Sequence, residues 1–164
     1  MINCCEKMTV KFTLNGRAAS FSAEPRTTLL RALREMGTTS VKRGCEEGEC
    51  GTCTVLLDGV PQKSCMLLAY EAEGRSVMTS EGLIASDGTL HPIQQAFIDE
   101  GAIQCGFCTP GMILSAHALI EKHGLPASEQ IKTGMAGNMC RCAAYPQIIK
   151  AVQKAARIQK GESV

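Results

Sequence analysis

Four cysteines, Cys45, Cys50, Cys53 and Cys65, constrain this chain more than any other feature. The first three form C-x4-C-x2-C within Gly44-Cys45-Glu46-Glu47-Gly48-Glu49-Cys50-Gly51-Thr52-Cys53-Thr54, and the fourth follows twelve residues later. Thiols at this spacing require a loop wrapped around a compact centre, and the spacing is that of a plant-type [2Fe–2S] site. The glycines at 44, 48 and 51 suit such a loop. Its backbone must come close to inorganic sulfide, aim N–H groups inward and adopt positive φ. Zinc ribbons pair C-x2-C units, and only Cys50 and Cys53 are so spaced here. Ten cysteines in 164 residues are about 6%, short of the roughly 8–10% of a small disulfide scaffold. In a reducing compartment, clustered thiols serve as metal ligands more often than as bridges.

A second set comprises Cys105-Gly106-Phe107-Cys108 and Cys140-Arg141-Cys142. Its C-x2-C lies at the start of one expected helix and its C-x-C before another, where helix dipoles favour anionic sulfur. Taken alone, this set also suits a Cys4 zinc site. Beside the first loop, it reads as a second one-electron centre, and two such centres in one chain make an electron relay.

The hydrophobic pattern divides the chain in two. Val10, Phe12 and Leu14 alternate as a half-buried strand does, and Asn15-Gly16 predicts a hairpin into a second strand through Phe21. Thr28 predicts the cap of a helix with Leu29, Leu33 and Met36 inward and Gly37 as its stop. A strand over Thr54–Leu57 ends at the turn Asp58-Gly59, and a further strand is expected within Arg75–Thr79. After an expected linker at about 81–91, the period becomes helical. Pro92 opens a helix with Ile93, Phe97 and Ile98 inward. Thr109-Pro110 is expected to cap and start a second, with the stripe Ile113, Ala116, His117 and Ile120 and a stop at Gly124. Ser128 is expected to cap a third, containing Ile131 and Met135. Pro146 opens a fourth, lined by Ile148, Ile149, Val152, Ala155 and Ala156. The fold class is therefore α+β: residues 1–80 as a compact strand-and-helix unit, and 81–164 as a helical bundle.

Other residues carry less. Apolar residues make up 45% and charged residues 20% of the chain, enough for a substantial core. A net charge of +1 gives no electrostatic reason for a nucleic acid or anionic membrane partner. No apolar run approaches the roughly 20 residues of a membrane span. The start, Met1-Ile2-Asn3-Cys4-Cys5-Glu6-Lys7, lacks a secretion signal or twin arginines, so a cytoplasmic protein is expected. Cys4 and Cys5 belong to no motif. His91, His117 and His123 lack ligand spacing, and His117 is expected in the core or an interface. Glu46, Glu47 and Glu49 surround the first loop, where Lys42 and Arg43 are candidates to offset them. No nucleotide-binding glycine motif, nucleophile–base pair or carboxylate pair is evident, so no catalytic residues are assigned. Bond breaking is expected to belong to another chain.

The segments GCEEGECGTCTVLLDG (44–59), KSC (63–65), GAIQCGFCTPGMI (101–113) and GNMCRC (137–142) resemble the small iron–sulfur subunit of the molybdenum hydroxylases, the xanthine dehydrogenase and aldehyde oxidoreductase family. The resemblance runs from about Met8 to Ala156. It implies an N-terminal β-grasp, plant-type ferredoxin-like domain followed by a C-terminal four-helix bundle, each with one [2Fe–2S] cluster. Cys45, Cys50, Cys53 and Cys65 would hold the first cluster; Cys105, Cys108, Cys140 and Cys142 would hold the second. It further implies a large partner carrying the molybdopterin cofactor, a medium FAD-binding subunit, and a dimer of heterotrimers. Electrons would pass from the molybdenum–pterin centre to the helical-domain cluster, then to the ferredoxin-domain cluster and on to flavin. Gln104 and Cys142 would lie against the pterin. The substrate class would be an N-heterocycle or an aldehyde. After the C-x-C pair the family usually has Thr-Gly-Tyr, whereas this chain has Ala143-Ala144-Tyr145; a left-handed residue at 144 would strain alanine there. A free-standing two-cluster electron carrier is the competing function.

Overall fold

The computed structural model describes residues 6–162; Cys4 and Cys5 lie outside them. Strands β1 (Met8–Leu14) and β2 (Arg17–Ala23) form an antiparallel hairpin through Asn15 and Gly16, whose φ values of 50° and 77° make the expected tight turn. Helix α1 (Leu29–Glu35) starts at Thr28, whose Oγ1 accepts from Arg31 N–H at 3.4 Å, and the chain leaves it through Gly37 at φ 88°. Strand β3 (Thr54–Leu57) turns at Asp58-Gly59 into β4 (Val60–Lys63), and β5 (Ser76–Met78) completes a five-stranded sheet in the order β2-β1-β5-β3-β4. Among the described residues, only the β1–β5 pair is parallel. The sequence pattern did not reveal β4. It is short, largely exposed and contains Pro61, which an edge strand tolerates because no ladder bond is needed on its outer side.

The second half contains α2 (Pro92–Asp99), α3 (Thr109–His123), α4 (Ser128–Met135) and α5 (Tyr145–Gln159), the four expected helices. Their caps differ in detail. Cys108, not Thr109, precedes α3, so Pro110 is its second residue. Ala127 precedes α4, and Gln130 Oε1 accepts the Ala127 N–H at 2.8 Å. Ser128 instead accepts from Gln153 of α5 at 3.0 Å. Ile98 is 52% exposed; Ile93, Ala96 and Phe97 form the inward face of α2, because Ile98 falls off the i, i+3, i+4 stripe. In α5, Ala151 is buried where Ile149 is only partly so. The expected linker begins with a 3₁₀ turn, Ser80–Leu83. Glu81 accepts from Ser40 N–H at 3.0 Å and Thr79 Oγ1 at 2.6 Å, and Gln94 donates to the Ser80 carbonyl at 3.1 Å. From Ile84 to Thr89 the chain is exposed.

Two cores meet at β3, all four residues of which are buried. Val55 and Leu57 join α1, Val10 and Phe12 on one face, while Leu56 joins the helical core of Phe97, Met112, Leu114 and Val152 on the other. Helix α3 packs against β3, which brings both cysteine-bearing regions to one end of the interface.

Candidate two-cluster site

The first loop is built so that donors point at sulfur. Cys45 N–H lies 3.4 Å from Cys50 Sγ, and Cys50 N–H and Glu47 N–H lie 3.4 and 3.3 Å from Cys45 Sγ. Thr52 Oγ1 is 3.3 Å from Cys50 Sγ. Gly48 and Gly51 have φ of 82° and 68°, as such a winding loop requires. Gly44 is needed for space: a Cβ there would sit 2.8 Å from Cys50 Sγ and 2.6 Å from Thr52 Oγ1. Ser64 Oγ donates to the Cys53 carbonyl at 2.7 Å and helps to hold Cys53 beside the Cys65 thiol, both buried.

The second set is likewise gathered in twos. The Cys105 thiol meets Cys142, and Cys108 meets Cys140. A binuclear iron centre takes two thiolates per iron, whereas a structural zinc takes all four at one point. The pairs Cys45/Cys50, Cys53/Cys65, Cys105/Cys142 and Cys108/Cys140 suit the former. The donor set, the inward N–H groups and the space kept by Gly44 fit two [2Fe–2S] clusters.

Both sets open on one cleft of about 530 Å³, to which Gly44, Cys45, Cys50 and Thr52 contribute from one side and Cys105, Phe107, Cys108 and Cys140 from the other. The thiols are electrostatically unlike. The Cys50 and Glu47 N–H groups bring Cys45 down to about 7, and the Phe107 N–H with the Cys142 thiol lowers Cys105. Burial pushes Cys53 up to about 11 and, with the Cys140 thiol beside it, Cys108 up to about 12. Buried thiols of this kind become thiolates when a cation is bound. Of the acidic residues on the loop, Glu46 is neutralised by Arg43 and by Arg31 at 3.6 Å, which hold its carboxyl below the usual range. Lys42 turns away and donates to the Thr39 carbonyl at 2.9 Å.

Residues 12–79 match the family profile of a 2Fe-2S iron-sulfur cluster binding domain, and residues 79–153 that of a [2Fe-2S] binding domain. The nicotinate dehydrogenase small FeS subunit of Eubacterium barkeri is 49% identical over 150 residues, 91% of this chain and 95% of that protein. The xanthine dehydrogenase iron-sulfur-binding subunit of Escherichia coli O157:H7 is 46% identical over 153 residues, 92% of this chain and 96% of that protein. Quinoline 2-oxidoreductase from Pseudomonas putida 86 contains a chain that superposes with a TM-score of 0.89 at 41% identity, covering 96% of this chain and 99% of its own. The chain belongs to the small iron–sulfur subunits of the molybdenum hydroxylase family.

It is thus a [2Fe–2S] electron-transfer subunit with the α+β fold that the resemblance implied. Where this iron–sulfur subunit departs from the family's Thr-Gly-Tyr, the strain is not where it was expected. Ala144 is right-handed at φ −73°, and Ala143 takes the left-handed conformation at φ 60°. Tyr145 supports the same turn, its hydroxyl accepting the Cys140 N–H at 2.9 Å. Three other residues of this small subunit gave no sequence signal. Asn138 is buried between the halves, Met139 N–H donates to the Cys50 carbonyl at 2.9 Å, and His91 Nδ1 accepts from Ile93 N–H at 3.3 Å to cap α2. His91 packs edge-on to His117, which is half-buried, with ring centroids 5.1 Å apart. Among the described residues, no helix is long and apolar enough to cross a membrane.

Proposed function

We propose that this subunit carries electrons from a molybdenum–pterin centre in a large catalytic partner to FAD in a medium partner, during hydroxylation of an N-heterocycle. Residues 1–80 and 81–164 each hold one cluster, with Cys45, Cys50, Cys53 and Cys65 as ligands of the first and Cys105, Cys108, Cys140 and Cys142 of the second. When bound, each cluster supplies reversible one-electron exchange. The observation that carries the reading is the pairing of the eight thiols in two sets, from which Cys45 and Cys50 of the first and Cys105, Cys108 and Cys140 of the second line one shared cleft.

The exposure of the chain's own residues supports this direction. Cys105 and Gln104 are exposed and Cys142 is half-buried, so this edge of the second set faces outward. Ile103, Phe107, Met139 and Tyr145 expose 39–55% of their surface around it. A surface thiol set ringed by apolar side chains calls for a partner that covers it and excludes water. Gln104 and Cys142 would there meet the pterin of the large subunit. The buried Cys53/Cys65 pair lies deeper, and the first set is the exit towards flavin. Relatives named for nicotinate, xanthine and quinoline support an N-heterocyclic substrate, the substrate contacts being those of the large partner. The chain itself holds no catalytic residue, and the complex would be a dimer of heterotrimers in the cytoplasm.

Metal analysis of the tagged protein, isolated anaerobically with its bound partners, tests the reading. About four irons per chain, as two [2Fe–2S] centres require, with molybdenum in near-equal ratio, is the expected result. Iron without molybdenum in any preparation would favour the free carrier, and zinc in place of iron would overturn the relay.

A further inference from the structure

The segment Gly137–Cys140 crosses the first thiol loop at close range. Met139 N–H donates to the Cys50 carbonyl at 2.9 Å, and Asn138 Nδ2 donates to the next carbonyl, Gly51, at 3.0 Å. Asn138 is buried, with 7% of its surface exposed. Its Nδ2 also reaches Thr54 Oγ1 at 3.2 Å, and its Oδ1 accepts from Ser115 Oγ at 2.8 Å. These partners lie on the first thiol loop, strand β3 and helix α3. A buried amide engaged in all three directions cannot move without leaving a polar group unsatisfied.

The glycines of this crossing permit proximity but do not define register. Gly51, Gly111 and Gly137 bring backbone against backbone, and a Cβ on Gly51 or Gly111 would collide with the Gly137 or Gly51 carbonyl. Without side chains they offer nothing to stop one strand of backbone sliding along the other. Asn138 supplies that stop. A bonded route between the two thiol sets runs from Cys50 through its carbonyl to Met139 N–H and on to Cys140, with one hydrogen bond in it. A slip of the segment would break that bond.

Resting on the assignment of both thiol sets as [2Fe–2S] sites, we infer that Asn138 is a positioning residue for electron passage between them. It holds Gly137–Cys140 in register with Cys50-Gly51 and so fixes the separation of the two centres. Its side-chain bonds go to Gly51, Thr54 and Ser115 rather than to a thiol, so it acts through the loops and not on the iron sites directly.

The test uses the iron-loaded complex, reduced with dithionite and examined by low-temperature EPR. Wild-type protein should show two cluster signals split by their mutual magnetic interaction. Wild type without two signals would overturn the two-cluster assignment, and the inference with it. In Asn138→Ala both signals and the iron content should persist with unchanged g values. The splitting should narrow or vanish, and re-equilibration between centres after flash reduction should slow. Asn138→Asp, which keeps the acceptor and loses both donors, should behave alike. Unchanged splitting and re-equilibration in Asn138→Ala, whatever its melting temperature, would show a packing role only and overturn the inference. Should Asn138→Ala lose iron, Ser115→Ala decides: it frees Oδ1 alone, altered splitting supports the inference, and wild-type splitting overturns it.

Discussion

Replacing Gly51 by alanine probes how rigidly the two halves are locked together. Two costs arise at this position. The residue is left-handed at φ 68°, and an L-residue there costs about 1–2 kcal/mol, offset by about 0.5–1 kcal/mol from the lower freedom of unfolded alanine. The new methyl would also press on the Gly137 carbonyl and lie 2.8 Å from Asn138 Nδ2 and 3.0 Å from Asn138 Cα. Backbone cannot yield as a side-chain tip can, so overpacking adds about 1–3 kcal/mol. Gly59→Ala separates the two: φ is 79° with nothing within 4 Å of the added methyl, so only the conformational cost remains. Gly111→Ala isolates the collision, against the Gly51 carbonyl, less about 1 kcal/mol regained in helix propensity. For a chain of this length, 1 kcal/mol shifts the melting temperature by about 2–4 °C. Gly59→Ala should therefore lower it by about 0–6 °C and Gly51→Ala by about 2–18 °C, with Gly111→Ala between them. The assay is anaerobic thermal melting of the iron-loaded protein, followed by visible absorbance and circular dichroism. If Gly51→Ala melts together with Gly59→Ala, the backbone contact is loose, and the reasoning about a locked interface is refuted.

Three further outcomes are expected. Ala143 pays the left-handed cost in an exposed loop, so Ala143→Gly should stabilise by about 0.5–1 kcal/mol, read as a rise of about 1–4 °C in the melting temperature; a fall would mean that the methyl group contributes contacts. Burial lowers the pKa of His117, and burial with the nearby His117 charge lowers His91, against a partial opposing pull from Glu121. The unfolded chain then binds these protons more tightly, so their contribution is complete above pH 6.5 and is lost as pH falls through the depressed values. His117→Gln should flatten the acid limb of melting temperature against pH, and curves parallel to wild type would contradict this. Arg43→Gln removes one of two cations from Glu46 beside Cys45, so potentiometric EPR titration should find the first cluster's potential moved to more negative values, with the second unmoved.

Local chemistry was legible in the sequence, and long-range chemistry was not. Asn15-Gly16 and Asp58-Gly59 announce their turns because few dipeptides adopt two successive positive φ values so readily. The eight cysteines announce two sites because thiolate spacing is fixed by the size of what they surround. The pairing Cys105/Cys142 and Cys108/Cys140 joins residues more than thirty positions apart, which spacing alone does not order. Asn138 meets Gly51 across 87 residues and looks like any polar loop residue until α3 and β3 enclose it. His91 was unreadable for a different reason. A histidine nitrogen accepts a helical N–H only when the ring is neutral, which burial favours at His91, and burial is a property of the finished fold. The handedness at 143 rather than 144 is likewise set within a turn that the Tyr145 hydroxyl and the Cys140 N–H close, a contact that the sequence does not display.

Strand β3 belongs to two cores, and this bears on how the protein is made. Thr54 and Leu56 face the helices while Val55 and Leu57 face the sheet's own helix, so a chain released only as far as residue 80 has a central strand finished on one side. The exposed side carries Gly51 and Cys50 at its head. The first thiol loop therefore gains its final backing only after α3 and the Gly137–Cys140 segment have been synthesised and docked. If this loop holds iron as proposed, iron delivered before that moment would meet a loop without its hydrogen bonds to Asn138 and Met139.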